Sequence, residues 1–589
     1  MKHSFPLLFV MQLSTLDWSI IAAFFIVSLI VGIFVSRKAG SSSTEFFLSG
    51  RNMPWWLLGV SMVATTFSAD TPNLVTDIVR KNGVSGNWVW WAFLLTGMLT
   101  VFVYSKLWRR SGLLTDLEFY EIRYGGKSAA FLRGFRALYL GVFFNVMIMA
   151  TVCLAAMKIG GVMLGLSPYQ TLLIASVVTV LYSMMGGLRG VIITDFIQFS
   201  LAMAGTIWAA VYLVDLPQVG GLTNLLAKPE VASLTNFLPD FSDTESLIPL
   251  LIIPLAVQWW SVWYPGAEPG GGGYIAQRML AAKNEQHAMG ATLLFNIAHY
   301  ALRPWPWILI ALCSVVVFPT LDSIQAAFPN VDASIINDDL AYPAMLTFLP
   351  AGLLGLVIAS LAAAFMSTIS THLNWGSSYV VNDFYQRFIK PEATEQELVR
   401  VGRVSTIVLM ILAALFALVL TNALQAFNIL MQVGAGTGLI FILRWFWWRI
   451  NAWTEISGMV ISFIVAIVIE VIAPNFVPPN FKLVVGVGIT TVGWLTVTFL
   501  TQPETEETLR GFAKHVNPTV GWKNYRSNEV TAVGNLPLQV MGMFLGCVVV
   551  YTALFATGSF IYGNTSLALV LGGTSIFCMV GLATLWKRF

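Results

Sequence analysis

One run in an otherwise oily chain, Ala364-Phe365-Met366-Ser367-Thr368-Ile369-Ser370-Thr371, carries unusually many hydroxyls. On a helix, residues 364, 367 and 371 share a face and 368 stacks beside 371. A hard cation such as Na+ is held by several oxygens, neutral ones included. Hydroxyls can supply some of them and carbonyls of unwound backbone the rest. Small residues also pack membrane helices together, so the stripe alone leaves both readings open. Asp195 lies in Thr194-Asp195-Phe196-Ile197-Gln198, about one turn into a second apolar segment that follows Gly186-Gly187-Leu188-Arg189-Gly190-Val191. A carboxylate there is costly and marks a functional site by default. It could neutralise a second Na+ beside Ser370 and Thr371, or pair with Arg189. His372, just beyond the stripe, reads as hydrogen-bonded to a neighbouring helix rather than as a proton relay. Arg303, beside Pro304 and Pro306, needs a partner or a wet cavity.

Two segments could supply unwound backbone. One reads Val63-Ala64-Thr65-Thr66-Phe67-Ser68-Ala69-Asp70-Thr71-Pro72, and the other Tyr264-Pro265-Gly266-Ala267-Glu268-Pro269 followed by Gly270 to Gly273. Proline removes a donor and glycine runs favour irregular backbone, so neither continues as a helix. Non-helical backbone at membrane depth survives only where it lines a cavity or is buried in protein. Glu268, inside the second break, could hold an amine or a proton, or cap exposed N–H groups.

The elements that position these residues are membrane spans. The chain has 589 residues, 57% apolar and only 10% charged. An ordinary soluble protein is about 25% charged. That excludes a soluble enzyme, a disordered chain and a disulfide scaffold. Net charge is +3, too small to suggest nucleic acid, and the four cysteines lie in apolar runs without metal-like spacing. With about 20 apolar residues per span, segments fall near 17–36, 54–80, 85–107, 133–160, 167–186, 189–214, 246–277, 287–318, 345–381, 398–420, 422–446, 451–473, 481–501, 536–556 and 563–586, about 15 spans in all. With the N-terminus outside, 25 of the 32 Lys and Arg residues face inside and six outside, with Arg303 in a span. The loops 215–245 and 319–344, on the outside, hold seven or more acids and one lysine. The positive-inside rule therefore expects an outside N-terminus and a cytoplasmic C-terminus.

Counting the first broken span, five spans lead to the second, so the second group of five inserts upside down. Paired interruptions at matching places point to an inverted-repeat transporter. The expected organisation is an outside N-terminus, first span and inside loop (1–53), a first five-helix repeat (54–214), an outside loop (215–245), a second repeat (246–446), and accessory spans (447–589) with an inside loop at 502–535.

Together these segments resemble the sodium:solute symporter family, which includes sodium/glucose and sodium/proline cotransporters. The resemblance runs from about residue 17 to 500. It is carried by Trp56-Leu57-Leu58-Gly59 entering the first break, Thr115-Asp116-Leu117-Glu118-Phe119, the Gly186 to Gln198 motif, and Met366-Ser367-Thr368 continuing to Asn374. Tyr274-Ile275-Ala276-Gln277-Arg278 is similar to the sugar-transporting branch. The resemblance implies an all-α LeuT-like core of ten helices, five plus five inverted, with one extra helix before it and about four after. It implies one or two coupling Na+ ions. The main site would use the carbonyls of Ala64, Phe67 and Ala364 with the hydroxyls of Ser367 and Thr368. The second would use Asp195, Ser367, Ser370 and Thr371.

For the solute the resemblance thins. Thr71 and Gly272 stand where sugar transporters have a glutamine and an asparagine, and His299 where they have a lysine. Trp91, Tyr264, Glu268 and Asn428 complete the candidate solute residues. A sugar or sugar derivative and an amino acid or osmolyte both stay open. So do a transporter-like sensor and a channel, although the inside segment 502–535 is too short for an output module. No His-Glu-x-x-His, nucleophile elbow or phosphate loop suggests an enzyme.

Overall fold

The computed structural model describes residues 13–39, 42–262, 268–329, 331, 333–420, 431–518, 520–526 and 535–589. Among them the secondary structure is helical, with one isolated bridge between Met53 and Ala282. In chain order the helices are α1 (Thr15–Ala39), α2 (Trp55–Thr66), α3 (Asp70–Asn82), α4 (Val84–Ser111), α5 (Gly126–Leu164), α6 (Pro168–Val214), α7 (Thr244–Trp260), α8 (Gly273–Ala281) and α9 (Glu285–Val317). They continue with α10 (Leu353–Ile389), α11 (Glu395–Ala417), α12 (Gly438–Leu443), α13 (Ala452–Glu470), α14 (Pro479–Leu500), α15 (Glu506–Val516), α16 (Leu536–Ile561) and α17 (Thr565–Arg588).

Ten helices among the described residues are long and apolar enough to cross a membrane. Four expected spans appear as shorter apolar pieces, for local reasons. Trp55–Thr66 and Thr244–Trp260 are halves of the interrupted segments, Pro168–Leu181 precedes a kink, and Thr15–Val31 is the apolar part of α1. The kink sits in α6 at Gly187, whose φ of 52° and ψ of −164° are non-helical and adopted as cheaply by no other residue, so the expected spans at 167–186 and 189–214 are two helices that meet at the glycine. Ser167 and Gln170 form a capping box at the start of α6, with Pro168 in the first turn. Of the expected span at 422–446, residues 422–430 lie outside those described, and the described remainder carries α12.

Helix α10 is the axis of the molecule. Nearly every residue from Leu353 to Ser378 is buried, and α6, α1, α5 and α11 pack around it. A helix buried all round is a core helix, here one that carries a polar stripe inside the bundle. At the periphery the pattern inverts, with Phe577 79% exposed and Phe560 71% exposed. Apolar surface of that extent requires lipid, which fixes the protein as an integral, multi-pass membrane protein. The polar-looking 502–535 segment is not loose over its described part. Helix α15 buries Leu509, Phe512, Ala513 and Val516, and Trp522 Nε1 donates to the Trp445 carbonyl at 2.7 Å.

Candidate functional site

Helix α2 stops at Thr66. Phe67 leaves helical geometry (φ −87°, ψ 74°) and its N–H folds back onto the carbonyls of Val63 and Ala64, at 2.8 and 3.1 Å. The chain re-enters helix at Asp70. The break releases the carbonyls of the last turn, and the hydroxyl stripe of α10 faces them. Thr368 Oγ1 donates to the Thr65 carbonyl at 2.8 Å. Thr65 Oγ1 and Thr371 Oγ1 lie 3.0 Å apart. Ala64, Phe67, Ala364, Ser367 and Thr368 are all buried, and Thr368 is the member of this candidate set that bonds directly across from α10 to the α2 break. The donors are neutral oxygens in a water-poor setting, a composition suited to a monovalent hard cation.

Asp195 is buried beside this junction. It accepts Ser367 Oγ at 2.6 Å and Ser61 Oγ at 2.5 Å. Its charged neighbour is Arg278 of α8, 3.8 Å away, rather than the sequence-adjacent Arg189. Arg278 also donates to Thr371 Oγ1 at 2.7 Å and to Ser61 Oγ at 3.2 Å. Ser370 turns inward on its own helix and donates to the Ser367 carbonyl at 3.1 Å. Of the second candidate set, Asp195, Ser367 and Thr371 therefore belong to one network, whose resident cation is a guanidinium. By sequence Arg278 counts only among the inside-facing basic residues, at the end of Tyr274-Ile275-Ala276-Gln277-Arg278; its full burial beside Asp195 follows from packing.

The candidate solute residues disperse. Thr71 Oγ1 donates to the Thr66 carbonyl at 3.3 Å, at the first break. His299 lies on the other side of Thr66, with Nδ1 3.0 Å from Thr66 Oγ1. Arg303 completes this cluster, donating to Thr66 Oγ1 at 3.1 Å and reaching His299 Nε2 at 3.1 Å, its guanidinium over the Trp307 ring. The partner that a mid-span arginine requires is thus His299 with Thr66. Trp91 points elsewhere: its ring packs on Trp88, Trp90 and Phe555 of α16, and its carbonyl accepts Tyr551 Oη at 2.9 Å. Tyr264 and Asn428 lie outside the described residues. His372 bonds to Asn145 across to α5, at 2.6 Å.

Glu268 is 3% exposed and ion-paired with Arg136, whose guanidinium lies over the rings of Tyr120 and Phe441. Glu268 and Gly272 line a cavity of about 70 Å³ with Asn296, Phe93, Phe295 and Tyr300. Asp116 closes the far end of the break: Oδ2 accepts the N–H of Gly273, at the start of α8, at 2.8 Å, and Oδ1 accepts Tyr379 Oη at 2.5 Å. A carboxylate on the first N–H groups of a helix satisfies both donor and dipole.

Residues 46–462 match the family model described as the sodium:solute symporter family. The chain belongs to that family. This sodium:solute symporter is a sodium-coupled carrier of a solute and not an enzyme. It is 27% identical over 471 residues to a sodium/glucose cotransporter of Vibrio parahaemolyticus, spanning 76% of this chain and 84% of that one. It is 27% identical over 483 residues to a sodium/mannose cotransporter of Bos taurus (77% and 79%). With sodium/myo-inositol cotransporter 2 of Oryctolagus cuniculus the identity is 26% over 489 residues (76% and 69%). Among solved structures, a substrate-bound, outward-open Na+-coupled sialic acid symporter superposes with a TM-score of 0.64 at 20% identity, over 84% of this chain and 100% of that one. The symporter shares that protein's LeuT-like fold.

Proposed function

We propose that this symporter imports a small sugar-like solute with Na+ held at the α2 break, by alternating access between repeats 54–214 and 246–446. The N-terminus faces outside and the C-terminus the cytoplasm, as the distribution of basic residues requires. The observation that carries the reading is the 2.8 Å contact of Thr368 Oγ1 with the Thr65 carbonyl, which ties the hydroxyl stripe to the released backbone. Na+ there would be ligated by the carbonyls of Ala64, Phe67 and Ala364 with Ser367 and Thr368. It would join α2 to α10 and thereby order the solute site at the neighbouring breaks. Ion and solute that favour the same state raise each other's affinity reciprocally.

A single Na+ per cycle fits the geometry better than two. A second ion at Asp195 would have to displace the Arg278 guanidinium from Thr371 and Ser61, since two cations do not share one buried carboxylate without cost. The sugar-like solute rests on the names of the relatives and on Glu268, whose charge Arg136 already balances, so it is no anchor for an amine.

Ser367→Ala with Thr368→Ala should abolish Na+-driven uptake of the transported sugar while leaving the protein folded. Uptake that still follows the Na+ gradient in that double variant would reject the site. The solute class is tested by thermal shift of the purified protein against hexoses, inositols, amino acids and betaines, each in Na+ and in K+. Only a true solute should stabilise in a Na+-dependent way.

A further inference from the structure

On the outer side of the break, α3 carries a polar stripe that the transport site does not use. Asn73, Thr76 and Arg80 recur at three- and four-residue spacing and so share one face. Asn73 and Thr76 are 1% and 0% exposed, and neither amide atom of Asn73, nor the Thr76 hydroxyl, has a hydrogen-bond partner among the described residues. Buried polar groups without partners are uncommon, and each one calls for an explanation. The outer end of this face is closed by charge. Arg80 Nε donates to Asp338 Oδ1 at 2.7 Å, and its Nη1 reaches the carbonyl and hydroxyl of Ser314, on α9, at 3.1 and 3.2 Å. One residue on, Asp339 accepts Lys158 Nζ, from the outer end of α5, at 2.7 Å, with both side chains almost fully buried. Lys81 pairs within α3 with Asp77 at 2.7 Å.

The two adjacent aspartates thus bridge different bodies: Asp338 holds the interrupted-helix side, through α3 and α9, and Asp339 holds the α5 side. A polar face that is buried, and unpartnered among the described residues, behind two ion pairs is what remains when a wetted passage shuts. We propose that Arg80–Asp338 and Lys158–Asp339 form a double latch over the outer mouth of the transport path. The Asn73/Thr76 face of α3 is the wall that water and Na+ reach once the latch parts. This rests on the orientation and alternating access proposed above. Opening exchanges each ion pair for solvent and lets water bond Asn73 and Thr76, so the two changes offset one another and the gate can be poised near balance. Removing one latch partner should bias the protein outward. The apparent external Na+ affinity then rises, because less of the population sits in a state that cannot bind from outside.

The test uses the full chain in intact cells with a charged, membrane-impermeant thiol reagent. Thr76→Cys reports on the wall, and the parent chain with its native cysteines sets the blank. In the Thr76→Cys background, Lys158→Met and Asp338→Asn should each speed labelling by about tenfold or more and lower the Na+ concentration for half-maximal uptake by about three- to tenfold. The charge swap Lys158→Asp with Asp339→Lys should return both towards the parent values. Labelling at the parent rate in both single variants, or a swap no better than the singles, would overturn the latch. Should Lys158→Met fail to reach the membrane, Asp338→Asn carries the test alone, because its carboxylate is partly exposed and its loss leaves Arg80 bonded to Ser314. Faster labelling without any change in Na+ dependence would leave the latch standing and count against the sodium assignment instead.

Discussion

The two interrupted helices solve one problem by opposite means. The first break spans only Phe67 to Ala69, between α2 and α3, and its backbone is met by hydroxyls: Thr66, Thr71 and Thr368 donate to nearby carbonyls and Thr65 meets the Thr371 hydroxyl, while the guanidiniums of Arg303 and Arg278 bond Thr66 and Thr371 rather than the break's backbone. The second runs from the end of α7 to the start of α8, and its described part is held by charge. Glu268 pairs with Arg136, Asp116 caps Gly273, and Trp108 Nε1 donates to the Gly270 carbonyl at 2.9 Å. A short break leaves carbonyls that a passing cation can complete and then abandon. A long break exposes too much backbone for that and needs permanent partners. Under the sodium assignment and repeat division proposed above, the first break would respond to Na+ while the second served as fixed wall.

The comparison breaks most readily at Arg136. Arg136→Met leaves Glu268 charged and buried without its counter-ion, and breaking a buried pair from one side costs about 3–5 kcal/mol. The detergent-solubilised protein should lose most of its thermal stability. Arg136→Met with Glu268→Met should recover the greater part, because neither charge is then stranded. A thermal-shift series that ranks the double variant below the single would show that the second break is not charge-held. By contrast, Ser367→Ala with Thr368→Ala at the first break should move uptake far more than melting temperature.

A smaller effect is expected at Gly270. Its φ is 87°, and a Cβ there would sit 3.1 Å from the Tyr104 ring. Gly270→Ala therefore meets backbone strain and a tight contact together, about 1–3 kcal/mol. Its measured effect should fall between the Arg136 single variant and any hydroxyl deletion at the first break. Melting temperature reads it, and an unchanged value would mean that this stretch of the second break is compliant rather than fixed.

The asymmetry between the breaks also explains what could be read from sequence. Both interruptions are legible because proline, glycine and polar residues inside an apolar run are local signals. The hydroxyl stripe is legible because helical spacing alone sets Ser367, Thr368 and Thr371 on adjacent faces. Pairing is not local. Asp195 meets Arg278 rather than nearby Arg189, and Glu268 meets Arg136, far away in the chain and on another helix; only the packing of the bundle selects those partners. The contacts of Trp91 are hidden from sequence for the same reason. An aromatic in a span can face a cavity or a neighbour, and here α16 supplies the neighbour.

The smallest predicted effect decides between one ion and two. Ser370 donates to the Ser367 carbonyl within α10, so Ser370→Ala removes one intrahelical side-chain bond and leaves the Asp195 network intact. Such a change should cost about 0.5–1.5 kcal/mol of stability at most. If Asp195 is satisfied by Arg278 alone, the dependence of uptake on Na+ concentration keeps its shape and half-saturation in this variant. A second Na+ ligated by Ser370 would instead weaken measurably, and a sigmoidal dependence would flatten towards a hyperbola. Arg278→Gln should change the same curve in the opposite sense: with the guanidinium gone, Asp195 lacks a cation, and Na+ becomes the available replacement. A parent curve that is hyperbolic, unchanged in Ser370→Ala and steeper in Arg278→Gln would establish that the arginine stands where the second ion would otherwise bind.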